Sequence, residues 1–415
     1  MNKYLTMMLG LVFIFQTKGF SNTPANEDSL AANYLKVNLV CGSCYLDYLR
    51  SKVTFVNFVR DPKEADVVIL VTVQPTGGGG RKYTLSFLGQ KDFSSLKDTI
   101  NFFTQNNFTD EQIRNALIKN LQFGLVRYVV RTPAADNLTM HFKRKSENVI
   151  TDNWNNWVFN TNLSSYFSGE QSRNQISLYG SISAKRETEY AKFNFSIYDS
   201  YNQSKFDYDN SSISNYSRSQ GIGTSLVLSA GSHWSYGGFL NVSSSTYSNI
   251  KMGYGVAPAV EFDIFPYEES TEKELRFLYR VNADRYLYDQ ETIYNKLSEN
   301  LLQQSLAVTL ELTQIWGSIS TSLEGANYFE DFSKNHFTFS TNLSVNVAEG
   351  LAFHMYGNFG MIHDQLSLPS QGATEDEVLL QARQLSTQYS YYTAVGISYT
   401  FGSIYNNVVN PRFGI

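Results

Sequence analysis

Ile176-Ser177-Leu178-Tyr179-Gly180-Ser181-Ile182-Ser183-Ala184 puts an apolar or small residue at every even position and a hydroxylated one at every odd position. Successive side chains on an extended strand point to opposite faces, so this stretch has one greasy face and one polar face. The pattern extends in both directions. Upstream, Trp157, Phe159, Thr161, Leu163 and Phe167 alternate with Val158, Asn160, Asn162 and Ser164. Downstream, Phe193, Phe195 and Ile197 alternate with Asn194 and Ser196, and Ile222, Leu226, Leu228 and Ala230 oppose Ser225 and Ser229. From Trp154 to Phe401 the chain is a train of such stretches, each roughly ten residues long, which is the signature of a transmembrane antiparallel β-barrel. A secreted all-β sandwich would share the period.

Three features favour the barrel. Phe 29 and Tyr 28 bring the aromatic share to 15%, with many rings near strand ends, where aromatic girdles meet lipid headgroups. The connections alternate: short turns near Arg186, Ala230, Thr313 and Ala348, with Tyr267 to Thr271 slightly longer, and longer loops at Asp207 to Ser214, Asp289 to Asn300 and Pro369 to Gln384. Such parity fits up-and-down threading with short turns on the periplasmic side. Finally, Val395, Ile397, Tyr399 and Phe401 share one face, and Gly396 lies three residues before Tyr399. That ending resembles the aromatic-terminated signal by which barrel-assembly machinery recognises its clients. The stretches predict about twelve strands, with ten and fourteen as the neighbouring even counts. A helical span is excluded, because no stretch after the leader approaches the ~20 apolar residues it requires.

The amino terminus predicts export. Lys3 and the apolar run Leu5 to Phe15 precede Gly19-Phe20-Ser21, so residues 1–21 read as a signal peptide without a lipoprotein cysteine. Cys41 and Cys44 follow as Cys-Gly-Ser-Cys, between a short strand (Tyr34 to Val40) and a helix (Tyr45 to Lys52). In an oxidising compartment a local disulfide or an inert pair is expected. A thioredoxin-like redox site would need a surrounding βαβ framework, and a metal centre would need further ligands. No metal or other cofactor is expected.

Residues 30–145 read as a separate small α+β domain. Val53 to Val59 and Val67 to Val73 are strand-like, the second a buried-sheet run. Gly77 to Gly80 then join it to the alternating Tyr83 to Phe87 as a hairpin. Four glycines could cradle phosphate, but Arg81-Lys82-Tyr83 and a strand follow in place of Lys-Ser/Thr and a helix. Thr109 and Gln112 form a capping-box pattern, and Ile113, Ala116, Leu117, Leu121 and Leu125 recur at helical spacing up to Pro133. Lys143, Arg144 and Lys145 lie in the linker; they suggest a juxtamembrane charge cluster, and no nucleic-acid partner is expected.

Several segments are similar to a widespread family of uncharacterised Gram-negative outer-membrane barrels with an amino-terminal periplasmic domain. They are Phe55-Val-Asn-Phe-Val-Arg-Asp61, Tyr83-Thr-Leu-Ser-Phe-Leu-Gly89, Phe265-Pro-Tyr-Glu-Glu-Ser-Thr271, and the ending Tyr399-Thr-Phe-Gly with Asn410-Pro-Arg-Phe413. The resemblance covers nearly the whole mature chain and implies a two-part layout: barrel 152–402 in the outer membrane, domain in the periplasm. It implies no substrate and no catalytic residue. It leaves the tail 403–415 without a physical account beyond a position against the barrel rim.

Within the barrel, Glu261 and Asp263 lie on one strand, and Arg276 and Arg280 on the next. Their neighbours Phe262, Ile264, Leu275, Phe277 and Tyr279 belong on lipid, so all four charges are expected in the lumen. The simplest reading is an ion-pair lattice filling a narrow barrel; the sharper one is a charged constriction that selects solutes. The expected role is therefore a non-enzymatic solute pore or a membrane-anchored scaffold. Its expected partners are outer-membrane lipids, the assembly machinery during insertion, and a periplasmic protein recruited by the domain. The alternative is a lipid-modifying hydrolase, which needs a Ser-His pair at the outer lipid boundary; His354, His233, His336 and His363 show no local motif of that kind. The net charge of -5 argues weakly against a dedicated anion pore.

Overall fold

A computed structural model describes residues 34–42, 44–77, 79–139, 152–208, 211–380 and 383–403. The expected leader, the linker cations and the tail beyond Ser403 lie outside the described residues.

The first unit is a five-stranded sheet with two helices. Its strands are β1 (Lys36–Val40), β2 (Asn57–Phe58), β3 (Val67–Pro75), β4 (Arg81–Gly89) and β5 (Lys97–Thr104), ordered β2-β1-β3-β4-β5. β1 runs parallel to β2 and β3, and the β3-β4 and β4-β5 pairs are antiparallel. Helix α1 (Leu46–Lys52) follows the cysteines, and α2 (Asp110–Val129) packs on β4 and β5. α2 starts where its capping box places it: Thr109 Oγ1 accepts from Gln112 N at 3.3 Å, and Thr109 N donates back to Gln112 Oε1 at 2.8 Å. Its stripe Leu117, Leu121, Leu125 and Tyr128 is buried against Val37, Ile69, Leu85 and Phe87. The Tyr128 hydroxyl donates to the carbonyls of Phe87 and Leu96 at 3.1 and 3.3 Å, so the ring is buried without an orphaned donor.

The expected strand Val53 to Val59 is corrected to the two residues of β2. Val53 and Val56 lie in the preceding loop and are fully buried, so their apolar character reflects core packing and not sheet alternation. β3 is buried on both faces, as its unbroken Val/Ile/Leu run requires. One face meets the helices; the other joins Val59, Ala65 and Val68 against Ile315 of the second unit.

The second unit is a twelve-stranded antiparallel meander. Its strands are β6 (Trp157–Gly169), β7 (Arg173–Glu187), β8 (Ala191–Tyr208), β9 (Ser211–Ser229), β10 (Trp234–Ser245) and β11 (Ile250–Asp263). They continue as β12 (Lys273–Tyr288), β13 (Ser298–Gln314), β14 (Gly317–Tyr328), β15 (Asn335–Ala348), β16 (Leu351–Ile362) and β17 (Tyr389–Tyr399). Each strand pairs with its sequence neighbours, and β6 and β17 are the two edges, unpaired with each other among the described residues. At one end the connections are 188–190, 230–233, 264–272, 315–316 and 349–350; at the other they are 170–172, 209–210, 246–249, 289–297, 329–334 and 363–388. The longer loops expected at Asp289 to Asn300 and Pro369 to Gln384 are present as 289–297 and 363–388. The long loop expected at Asp207 to Ser214 is corrected: β8 runs to Tyr208 and β9 resumes at Ser211, because polar Ser/Asn/Tyr strand ends look like loop in sequence.

The sheet is curled. Loop 363–388 leaves β16 yet carries the short helix α3 (Glu375–Leu379) to β9. On a flat sheet β17 and β9 would be roughly 38 Å apart at the usual strand spacing. The loop is held there by backbone and side chain. Ile293 N donates to Leu368 O and Ser370 N to Glu291 O, both at 2.8 Å, and buried Asn249 donates to Ser367 O at 2.8 Å. At the opposite end the first unit lies against turns distributed around the rim. Ser86 Oγ donates to Glu272 Oε1 at 3.1 Å, Gln74 reaches Ser270 Oγ at 3.5 Å, and Arg60 donates to Ser403 O at 3.1 Å. The glycine run makes one of these contacts possible: a Cβ on Gly77 would lie 2.5 Å from Glu187 Cβ.

Inside the first unit the tightest glycine is Gly124, where a Cβ would lie 2.0 Å from the Phe87 ring. Gly124→Val is expected to expose the domain to limited proteolysis of the full chain in detergent, while the meander keeps its heat-modifiable gel migration. Unchanged protease resistance would contradict this packing.

Candidate functional site: the inward wall of the meander

Register assigns each side chain to a face. Glu261 is opposite Leu278 and Ser235; Asp263 is opposite Arg276; Arg280 is opposite Ala259 and Ser305. All lie on the side covered by loop 363–388. The other side carries Leu163, Leu240, Val395 and Ile397, with Leu163 85% and Ile397 73% exposed. Exposed apolar side chains in this number on one face need a cover. Aromatic pairs mark both of its borders: Trp157–Phe193 (5.6 Å) and Trp234–Phe262 (4.6 Å) at the short-turn end, Tyr201–Tyr216 (5.8 Å) and Tyr389–Tyr391 (6.4 Å) at the loop end.

The four charges predicted to cluster are divided between three arrangements. Arg276 pairs with Glu274 at 2.9 Å and lies 3.8 Å from Glu261. Glu261 also accepts from the Tyr267 hydroxyl at 3.2 Å, and Tyr267 shares a 2.7 Å hydrogen bond with Ser235 Oγ. Burial in the turn pushes the Tyr267 phenol up to about 12, so it acts as a neutral donor. Asp263, 1% exposed, makes no ion pair among the described residues; its carboxylate accepts from Phe265 N at 3.0 Å and Leu275 N at 3.2 Å. It shapes the turn that joins β11 to β12. Arg280 reaches Glu324 on β14 at 2.7 Å, away from both predicted acids. Beside it the Arg280 Nε and the Oγ of Ser305, a residue only 3% exposed, have no hydrogen-bond partner among the described residues.

Nothing in the residue pattern pointed to Glu324 as a partner, because an ion pair across two strands depends on register. The same holds for the tethers at the loop end. His336 Nδ1 and Asp364 Oδ2 are 2.5 Å apart, pinning loop 363–388 to β15. The Tyr288 hydroxyl and Lys296 both meet Glu299 at 2.5 Å. At the short-turn end, His354 lies between two serines of neighbouring strands, Ser344 Oγ at 3.1 Å from Nδ1 and Ser398 Oγ at 3.3 Å from Nε2. No carboxylate contacts this imidazole among the described residues, and it faces inward.

The wall is not filled. A cavity of about 290 Å³ lies beneath the first unit, between Arg60, Lys63 and Gln90 and the inward-facing Asn346, Ala352, Ser398 and Thr400. A second, of about 440 Å³, is set into β8 to β12. Cys41 and Cys44 are joined in a disulfide with Cα atoms 5.9 Å apart and pack against the core of the first unit. Gly396 faces inward opposite His354, and Tyr399 and Phe401 stack outward at 5.7 Å. No cluster of metal-binding side chains occurs among the described residues.

Asp263→Ala is expected to orphan the two turn amides, at a cost of about 1–3 kcal/mol. The readout is a lower temperature for loss of heat-modifiable migration in detergent; an unchanged transition would contradict the turn role.

No family model matches the chain, and no curated protein matches it. Solved structures similar to it include the NanC porin (12% identity, TM-score 0.30, covering 57% of this chain and 97% of the porin). Another is the translocator domain of autotransporter NalP from Neisseria meningitidis (12%, 0.24, 69% and 97%). A third is CdiB from Acinetobacter baumannii (7%, 0.23, 88% and 74%). Likenesses of this size decide neither the fold nor the role, which rest on the strands and side chains themselves.

Proposed function

We propose that the chain is an outer-membrane β-barrel that passes small solutes, favours cations, and carries its amino-terminal domain on the periplasmic side as a cover over one mouth. In this reading lipid covers the outward apolar face, and the free edges of β6 and β17 pair with each other, because unpaired backbone groups do not persist in hydrocarbon. Insertion by barrel-assembly machinery fits the outward Val395, Ile397, Tyr399 and Phe401.

One observation carries the choice of a passage over a filled anchor: inward side chains leave cavities of about 440 and 290 Å³ instead of packing the interior. Selectivity follows from the charges. Glu261, Glu274, Asp284, Glu299, Glu311 and Glu324 share the inward face of β11 to β14, against Arg276 and Arg280 on that face and Lys296 beside Glu299 in the adjoining loop. Lys185 and Lys192 stand on β7 and β8, the latter paired with Glu187 at 3.4 Å. Such a wall raises the local concentration of cations. A gated reading is supported by the mixed seat of the domain, which combines the Ser86–Glu272, Gln74–Ser270 and Arg60–Ser403 bonds with the apolar contact of Ile315.

In planar bilayers the purified full chain is expected to give discrete conductance, with a reversal potential under a KCl gradient on the cation side. Ile315→Asp together with Glu272→Ala, which unseats the domain, is expected to raise the open fraction. Absence of conductance in both proteins would contradict the passage, and anion preference would contradict the charge argument.

A second reading has one specific observation behind it, the Ser344–His354–Ser398 chain at the mouth cavity. A hydrolase there predicts fluorophosphonate labelling of a serine that disappears in His354→Ala. No labelling in the unmodified protein excludes it.

A further inference from the structure

The cavity in β8 to β12 has a definite construction. Its floor is Asn241 and Ser243 of β10, flanked on each side by a pair of glycines: Gly221 and Gly223 on β9, Gly253 and Gly255 on β11. Its walls are Ser196 and Tyr198 on β8 and Asp284 and Tyr286 on β12. The glycines let the wall side chains lie flat. A Cβ on Gly221 would lie 2.5 Å from the Tyr198 ring, one on Gly253 2.9 Å from the Tyr286 ring, and one on Gly255 2.4 Å from the Asp284 carboxylate. Two aromatic rings thus lie against the wall on opposite sides of the floor, with a carboxylate beside one of them.

That carboxylate is unmatched. The guanidinium groups of this wall are engaged elsewhere, Arg280 with Glu324 and Arg276 with Glu274. No ion pair or hydrogen bond engages the side chain of Asp284 or Asn241 among the described residues. Several other charged groups of the inward face are paired, Arg276 with Glu274, Arg280 with Glu324 and Lys192 with Glu187; here an anion, an amide and two aromatic rings border empty space.

We propose that this hollow binds a small organic cation, an ammonium compound with a methylated or methylene body. The cationic centre lies between the Asp284 carboxylate and the Tyr198 and Tyr286 rings, which attract it through charge pairing and through the negative faces of the π-systems. Asn241 and Ser243 take up a hydroxyl or amine hydrogen, and the glycine pairs leave room for the body of the solute. A neutral sugar would use the rings and the amide but would leave the carboxylate's charge without a partner. The proposal deepens the cation-favouring passage and rests on the reading of this face as the interior.

The test uses the full chain in detergent micelles, with choline as probe and glucose as the neutral control. Saturation-transfer NMR is expected to show choline contacts and none for glucose. Asp284→Asn is expected to weaken choline binding about tenfold, the effect of removing one charge-assisted interaction. Gly223→Val, whose Cβ has 3.4 Å of clearance to Ser196 and whose methyl groups fill the hollow, is expected to abolish it. Heat-modifiable migration reports that each variant keeps its fold. Choline binding that survives both substitutions overturns the proposal, as does glucose binding where choline does not bind. Saturation transfer without conductance would sink the passage and leave the site standing. Conductance without saturation transfer would do the reverse.

Discussion

A strand in an apolar surrounding can place its amide hydrogens and carbonyls only on a neighbouring strand, and the second unit is organised around that constraint. Twelve strands in sequence order satisfy one another by a meander, the simplest threading that leaves few free edges. Once pairing is fixed, the period of two assigns every side chain to one of two surfaces. The outward surface can then be largely apolar, with the Asp199–Arg218 pair near its loop-end border, and the inward one is free to carry Glu261, Arg276, Asp284 and Glu324. The remaining edges, β6 and β17, are where the constraint is still to be met. Those strands are also the most exposed of the sheet, on both faces.

Both ends of this sheet carry further structure. At the loop end, Asn249, His336 and Asp364 hold loop 363–388 across the opening. At the other end, the α+β unit spreads contacts over turns that are far apart in the meander, from Glu187 to Ile315 and Ser403. β3 shows how the two units were built for each other. Its unbroken apolar run makes sense only when the meander turn at Ile315 covers the face that the helices leave open.

Much of this was legible in the residues because it depends on local period and capping. Ile176 to Ala184 announces its strand, and Thr109 with Gln112 announces the start of α2. What could not be read depends on which residues become neighbours across strands. Asp263 looked like half of an ion pair and instead holds two turn amides, since a buried acid takes whichever donors the turn brings. Arg280 found Glu324 on β14, a partner fixed by register alone. Val53 and Val56 imitated a strand because a buried loop needs the same apolar residues as a buried sheet. The Gly221–Gly223 and Gly253–Gly255 pairs were visible as letters, but their meaning appeared only when Tyr198 and Tyr286 were found lying on them.

The claim beneath all of this is that the outward face of the meander meets hydrocarbon. Spin labels placed singly along β12 in protein reconstituted into lipid vesicles test it directly. Labels at Leu275, Phe277, Tyr279 and Val281 should collide with dissolved oxygen, while those at Arg276, Leu278 and Asn282 should collide with a water-soluble nickel complex, alternating residue by residue. Water accessibility at every position, with no alternation, would contradict the account.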